Sequence, residues 1–305
     1  MAQSNVVSDV GVSAGGLGTA IASAIVQFNK ANVTQNCITM SAAPQGTSTV
    51  KFPIYTKHDV TNANYGVKNM ASGAEETAAN LTSIETTAVS LEVLRNAIRA
   101  EITDLAAHGN ADALLVNAGR QLGNDIAREF DLNVCALFDG FATSKGTDDG
   151  LRFLDIMDAV ASLETNDAPR PYSAVLHPQQ VYGSFGLSNE LALTATASSV
   201  GAFAHGGASS VGEQFYGAGF VTNIAGIDFY TSPQVIDGAT GRKKGAIYSK
   251  TALGAGYIDF GGGNFIELKN ERNELGASTN MVANGYWAVS ELVDLHGVEI
   301  HTEIS

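Results

Sequence analysis

The chain is short of charge and of cysteine, and it has no long apolar run. Only 16% of its 305 residues are charged, against the usual quarter. Cys37 and Cys135 are its two cysteines; they stand far apart, outside any CxxC pair and without a flanking histidine, which predicts two reduced thiols. No stretch approaches the roughly 18 consecutive apolar residues of a membrane span. The opening Met1-Ala2-Gln3-Ser4-Asn5 lacks the basic-then-apolar order of a secretory signal, so no membrane partner is expected. Basic residues number 17 against 31 acidic ones, a formal charge of −14. Tight binding to nucleic acid uses Lys and Arg to displace counterions, which argues against a DNA-binding regulator. A protein that merely encloses nucleic acid is compatible with that charge.

Apolar residues make up 45% of the chain, enough for a sizeable core. The length suggests two domains, or one interrupted by another. With so few charges and 33 glycines, much of the polar surface comes from Ser, Thr, Asn and Gln. Such a surface costs less to desolvate than one of Lys and Glu, and so suits burial against other subunits.

Residues 1–44 read as an N-terminal arm. Gly15-Gly16-Leu17-Gly18 precedes a short amphipathic helix carrying Ile21, Ala24, Ile25 and Phe28. Within 45–83, Val50, Phe52 and Ile54 alternate with Lys51, Pro53 and Tyr55 as in an edge strand. Beyond His58 only Tyr65, Val67, Met70 and Leu81 are sizeable and apolar, so this arm has no core of its own. An isolated hairpin is marginal in water, and a neighbouring copy is the expected support. Phe52, Ile54, Tyr55, Tyr65 and Met70 are therefore the candidate intersubunit contacts.

A strand-like segment from Ile84 leads to His108-Gly109-Asn110, read as a break, and then to a long helix over 111–138. Its stripe of Leu115, Ala118, Leu122, Ile126, Phe130, Val134 and Leu137 recurs at three or four residues, with Asp112, Arg120, Asp125, Arg128 and Asp131 on the other faces. At 1.5 Å per residue it is about 40 Å long. After Asp139-Gly140, Asp149 is the expected cap of a helix carrying Leu151, Leu154, Met157 and Ala161. Tyr172 to Leu176 reads as a strand, and His177-Pro178 opens a further helix. Residues 191–212 read as loop, with strands at 220–221, 227–231, 245–249 and 257–260. Asn284-Gly285 is a turn signal, Trp287, Val289 and Val293 alternate with polar residues, and Val298 and Ile300 follow a second turn at His296-Gly297. The economical arrangement is α+β, with 145–265 inserted between 84–144 and 266–305.

No catalytic constellation is visible. His58, His108, His177, His205, His296 and His301 form no HExxH or HxH. His205-Gly206-Gly207 resembles an oxyanion loop, but Gly207-Ala208-Ser209-Ser210-Val211 misses the nucleophile-elbow spacing. Asp148, Asp149, Asp155 and Asp158 lack the EF-hand pattern. Gly238 to Gly245 resembles a phosphate loop only superficially, since no Ser or Thr follows Lys243-Lys244. No cofactor, metal or enzymatic activity is expected; a hydrolase using His177 or His205 is the alternative from another class.

The order of parts resembles the major capsid proteins of tailed bacteriophages, the Hong Kong 97-type fold. The resemblance is carried by Leu81 to Val89, by Ile102-Thr103-Asp104-Leu105-Ala106-Ala107, by Gly119 to Asp131, by Ala174 to Gln180, and by Glu271-Arg272-Asn273 with Glu291 to Val298. It implies an extended loop at 45–83, a spine helix at 111–138 in a peripheral domain (84–144 and 266–305), and an axial domain at 145–265. It further implies pentamers and hexamers of an icosahedral head enclosing double-stranded DNA, assembled in the host cytoplasm. Portal, decoration and scaffolding proteins are the implied partners, the last separate because the segment before the loop is too short to contain one. Some members cross-link a loop lysine to a neighbour's asparagine. Lys51, Lys57 and Lys68 lie in the loop, but no motif marks a partner or a catalytic acid, so no cross-link is expected. An encapsulin-type compartment shares the fold and is the nearest alternative.

Overall fold

The computed structural model describes Ala24, Phe28 and residues 32–55, 86–146, 150–187, 220–224, 226–238, 241–260 and 265–304. In chain order the strands and helices are β1 (Thr39–Ala42), β2 (Thr49–Tyr55), β3 (Thr86–Glu92), β4 (Leu94–Thr103), α1 (Asp104–Cys135), β5 (Ser144–Lys145), α2 (Phe153–Thr165), β6 (Tyr172–Leu176), α3 (Pro178–Tyr182), β7 (Phe220–Ile224), β8 (Ile227–Thr231), β9 (Arg242–Ser249), β10 (Leu253–Tyr257), β11 (Ile266–Asn273), β12 (Ser278–Glu291) and β13 (Gly297–Glu303). They form a five-stranded sheet of β1, β10, β12, β11 and β4, and a six-stranded sheet ordered β5-β13-β9-β6-β8-β7. A two-stranded ribbon pairs β2 with β3.

The apolar stripe of α1 packs as its spacing requires. Leu122, Ile126, Phe130 and Val134 are buried, Ala118 and Leu137 partly so, and Arg120 and Arg128 face out. Phe130 lies 5.7 Å from Trp287 of β12 and 5.4 Å from Phe265, ring centre to ring centre, and Phe28 meets Phe265 edge-on at 4.9 Å. Each such aromatic pair adds about 1 kcal/mol beyond the area it buries. Gly123 lets the N-terminal segment come close, since a Cβ there would lie 2.3 Å from the Ala24 carbonyl oxygen. A second core under the six-stranded sheet gathers Ile156, Ala159, Val160 and Leu163 of α2 with Ala174, Phe229, Ile247 and Ile300.

Several expectations are corrected. The helix starts at Asp104 and runs 32 residues, about 48 Å, through His108-Gly109-Asn110. A single interior glycine costs only about 1 kcal/mol, too little to end a helix by itself. Asp131 is buried rather than outward: it accepts hydrogen bonds from the Val33 N–H (3.1 Å), the Thr34 N–H (3.0 Å) and the Thr34 hydroxyl (2.6 Å). Burial pushes its carboxyl up, opposed by those three donors. Asn284-Gly285 is no turn but the middle of a 14-residue strand. The Trp287 ring fills the space a side chain at 285 would need (1.9 Å from a Cβ), while Asn284 accepts from Arg95 Nε at 2.9 Å and Nη2 at 2.7 Å. Helix α2 buries Ile156, Ala159, Val160 and Leu163 and leaves Leu154 and Met157 outside. Both of its faces are apolar, so periodicity alone could not choose between them. Its first turn is closed by the Asp155 carboxylate accepting from the Arg152 N–H (3.1 Å); Asp149 lies outside the described residues.

The strands divide differently from the expected 145–265 insertion. β10, expected at 257–260, spans Leu253–Tyr257 and pairs with β1 and β12; β13 leaves the 266–291 strands and pairs with β9 and β5. Small residues explain the first shift. Gly254 and Gly256 admit Leu292 and Val50 at distances no side chain would allow, the use of strand glycine for close approach.

Asp131→Ala should cost about 2–4 kcal/mol, because it strands the donors of residues 33 and 34, with Asp131→Asn milder. Urea unfolding of the full chain checks the order.

Candidate functional site

The ribbon β2–β3 flanks the segment expected to form the arm, whose residues 56–85 lie outside the described residues. Its register sets Val50 against Leu91, Phe52 against Val89, Pro53 against Ala88 and Tyr55 against Thr86. A two-stranded ribbon has a free edge on each strand, the setting that admits proline. Val50, Phe52, Leu91 and Val93 form a small cluster with Ala43, Ile258, Tyr286, Ala288 and Leu292 packed on it. The ribbon is thus anchored on the five-stranded sheet, and the Val93 N–H bonds the Ser48 carbonyl at 2.8 Å to close its base.

This divides the five candidate contacts. Phe52 is buried in its own chain, a correction to its expected role on a neighbour. Ile54 is half-buried and Tyr55 is 68% exposed. Tyr65 and Met70 lie outside the described residues, as do Lys57, Lys68, His58 and His205. The alternation of Val50, Phe52 and Ile54 signalled one buried face, and that face finds its cover on the chain itself.

Exposed apolar side chains not counted among the candidate contacts lie elsewhere. Leu154 (65% exposed) and Met157 (39%) share one face of α2, and Tyr182 and Phe185 are also exposed. Phe185 adjoins the entry to α2, its carbonyl accepting from the Leu151 N–H at 2.9 Å. Helical spacing picks out Leu154 and Met157 as apolar positions of this helix without choosing its buried face; the rival stripe of Ile156, Ala159, Val160 and Leu163 is the missed signal.

Of the two histidines considered for chemistry, His177 caps a helix and His205 lies outside the described residues. The His177 Nδ1 accepts from the Gln179 N–H (3.2 Å) as the cap of α3, and Gln180 Oε1 accepts from the His177 N–H (2.9 Å), a reciprocal capping box. Partial burial, with Lys243 nearby, lowers the imidazole pKa. The Gln180 amide donates to the Thr302 hydroxyl at 2.7 Å and to the Lys243 carbonyl at 3.0 Å, joining α3 to β13 and β9. Cys37 and Cys135 are free and buried; burial pushes the Cys37 thiol up to about 12 and Cys135 well above its usual value. Neither offers a thiolate near neutral pH. Among the described residues no cluster of His, Cys, Asp and Glu could hold a metal, and no helix is long and apolar enough to cross a membrane. Phe52→Ala should cost about 3–5 kcal/mol, whereas Tyr55→Ala should stay within about 0.5 kcal/mol, both read by denaturant unfolding of the unassembled chain.

No family model matches the sequence, and comparison with curated proteins gives no match. Solved structures do match over most of their length. The capsid of Ralstonia phage GP4 is 12% identical, with 91% of this chain and 90% of that one covered and a TM-score of 0.63. The capsid of the cyanophage P-SCSP1u is 16% identical over 91% and 90%, with a TM-score of 0.58. The SrpI encapsulin complex of Synechococcus elongatus is 9% identical over 88% and 87%, with a TM-score of 0.57. The chain therefore has the fold of phage capsid and encapsulin shells, the Hong Kong 97-type fold that the order of its sequence elements resembles.

Proposed function

We propose that the chain is the major capsid protein of a tailed phage, a structural subunit whose copies close into the pentamers and hexamers of an icosahedral head around double-stranded DNA. The observation that carries this is the match of about nine-tenths of the chain to about nine-tenths of several phage capsid chains. Shell closure needs two unlike surfaces per subunit, because head-to-tail contacts bring different patches together. The arm beyond Tyr55 supplies one, and the exposed apolar face of α2 with Tyr182 and Phe185 belongs to the other. In this reading 84–144 with the 266–291 strands is the peripheral part, and the six-stranded sheet with α2 and α3 is the axial part. The protein works in the virion without catalysis or cofactor, and is assembled in the host cytoplasm with separate scaffolding, portal and decoration proteins. A net charge of −14 suits a wall that contains DNA without gripping it.

The encapsulin match favours a second reading, a cellular compartment loaded with protein cargo. Packaged contents separate the two: DNA for a head, an enzyme for a compartment. A hydrolase would instead purify as a monomer of 31.6 kDa with esterase or phosphatase activity.

Because Tyr55 and Thr86 face each other across the ribbon, an Asn-Gly turn can replace residues 56–85 without disturbing the root. The shortened chain should keep its circular dichroism and thermal midpoint yet form no shells by electron microscopy. Unchanged shells would refute the intersubunit role of the arm.

A further inference from the structure

Strand β12 pairs with β4 on one side and with β11 on the other, and its alternate residues face opposite ways. Met281 and Ala283 are buried in the core with α1. Ser278, Asn280, Val282 and Asn284 therefore stand on the opposite face of the sheet. The register sets Asn280 directly against Glu101 of β4 and, across the strand, against Glu271 of β11. Residues paired in this way share a face, with Cβ atoms about 5 Å apart. Two carboxylates thus flank one amide in a single row across three strands.

Asn280 is only 6% exposed, and its Oδ1 is buried without a hydrogen-bond partner. A buried acceptor left unpaired costs free energy, and folded proteins keep few of them. The side chains on either side cannot serve it, because an ionised carboxylate only accepts. Glu101 is held toward β12, its Oε1 accepting from the Ser278 hydroxyl at 2.6 Å. Its Oε2 meets Arg99 at 3.3 Å, an exposed ion pair of the kind that contributes little. Lys269, opposite Val282 in the next row, is held by Glu267 at 2.9 Å. Among the described residues nothing pairs with Glu271.

An acceptor with acceptors on both sides calls for a cation. We propose that Asn280 Oδ1 and the carboxylates of Glu101 and Glu271 form a calcium-binding site on the sheet face turned away from α1. Calcium takes six to eight oxygens in flexible geometry, from carboxylates, amide carbonyls and water. Two carboxylates, each binding through one or both oxygens, and one amide oxygen supply roughly three to five of these, and water completes the shell. Magnesium demands a stricter octahedron and gives up its water reluctantly, so it suits the row less well. The set is all oxygen, with two carboxylates only. It differs from the groups of three or more His, Cys, Asp and Glu that are absent among the described residues.

The bound ion satisfies the buried amide oxygen, draws Glu101 and Glu271 together, and ties β4 and β11 to the strand between them. Histidine and EF-hand spacings gave no sign of it, because residues 101, 271 and 280 are brought together only by strand pairing. The site lies within one chain and holds whether or not the chain builds a shell.

Calcium titration of the purified full chain tests it, with divalent ions first removed and sodium chloride matched for ionic strength. The thermal midpoint should rise by about 2–4 °C at calcium near ten times the dissociation constant, with half-saturation at roughly 0.1–1 mM. Glu271→Gln, which breaks no bond seen in the fold, should keep the calcium-free midpoint and remove the rise. Glu101→Gln should remove the rise as well. Asn280→Asp adds a charge to the ligand set and should lower the half-saturating concentration about tenfold. The rival arrangement turns the Asn280 amide over so that its NH2 donates to both carboxylates; it needs no ion and leaves the midpoint unmoved by calcium. That result, or a rise that persists undiminished in both glutamate variants, would overturn the proposal.

Discussion

The packing of α1 on β12 is the contact that the rest of the fold depends on. Phe130 and Val134 are completely buried beneath Trp287, Phe265 and Met281, in a core where each large side chain contributes several kcal/mol. That contact places the 14-residue strand that β4, β10 and β11 all pair with, so the five-stranded sheet is arranged around it. It also fixes where α1 ends, and hence where the chain first crosses to the six-stranded sheet. The N-terminal segment docks on the same helix, through Gly123 and the three hydrogen bonds accepted by Asp131.

The surface follows from what these cores leave over. Core demand is met by one face of α2, yet its other face carries Leu154 and Met157, both exposed. The β2–β3 ribbon is satisfied by Val50 and Phe52, and its Tyr55 is left exposed. A weakly charged surface with such apolar faces costs little to desolvate against further copies. The shortage of charge thus fits the proposed reading, that of a subunit built to be covered.

Long regular signals were legible in the sequence. The stripe of α1 was read correctly from Leu122 to Val134 because a helix with one buried face repeats its apolar residues every three or four positions. The strand at Tyr172 to Leu176 was legible for its short, largely apolar run, and the order of elements pointed to the fold. What failed depended on partners far away in the chain. Asn284-Gly285 carries a turn signal, but Arg95 binds the asparagine, and pairing with β4 and β11 holds both residues extended. Asp131 looked solvent-facing until residues 33 and 34 supplied its donors. The membership of β10 and β13 is decided by cross-strand pairing, which periodicity does not encode. For the candidate contacts, Phe52 was misplaced because alternation reveals that a face is buried without saying by which chain.

The central claim is that the surfaces left open by this chain are completed by other copies of it. A cryo-electron microscopy reconstruction of the assembled particle tests that most directly. The account predicts closed shells in which Leu154, Met157 and Tyr55 are covered by neighbouring subunits while the β2–β3 root keeps its own cluster of Val50, Phe52, Leu91 and Val93. Particles in which those side chains remain open to solvent, or a chain that stays a monomer at every concentration tried, would contradict it.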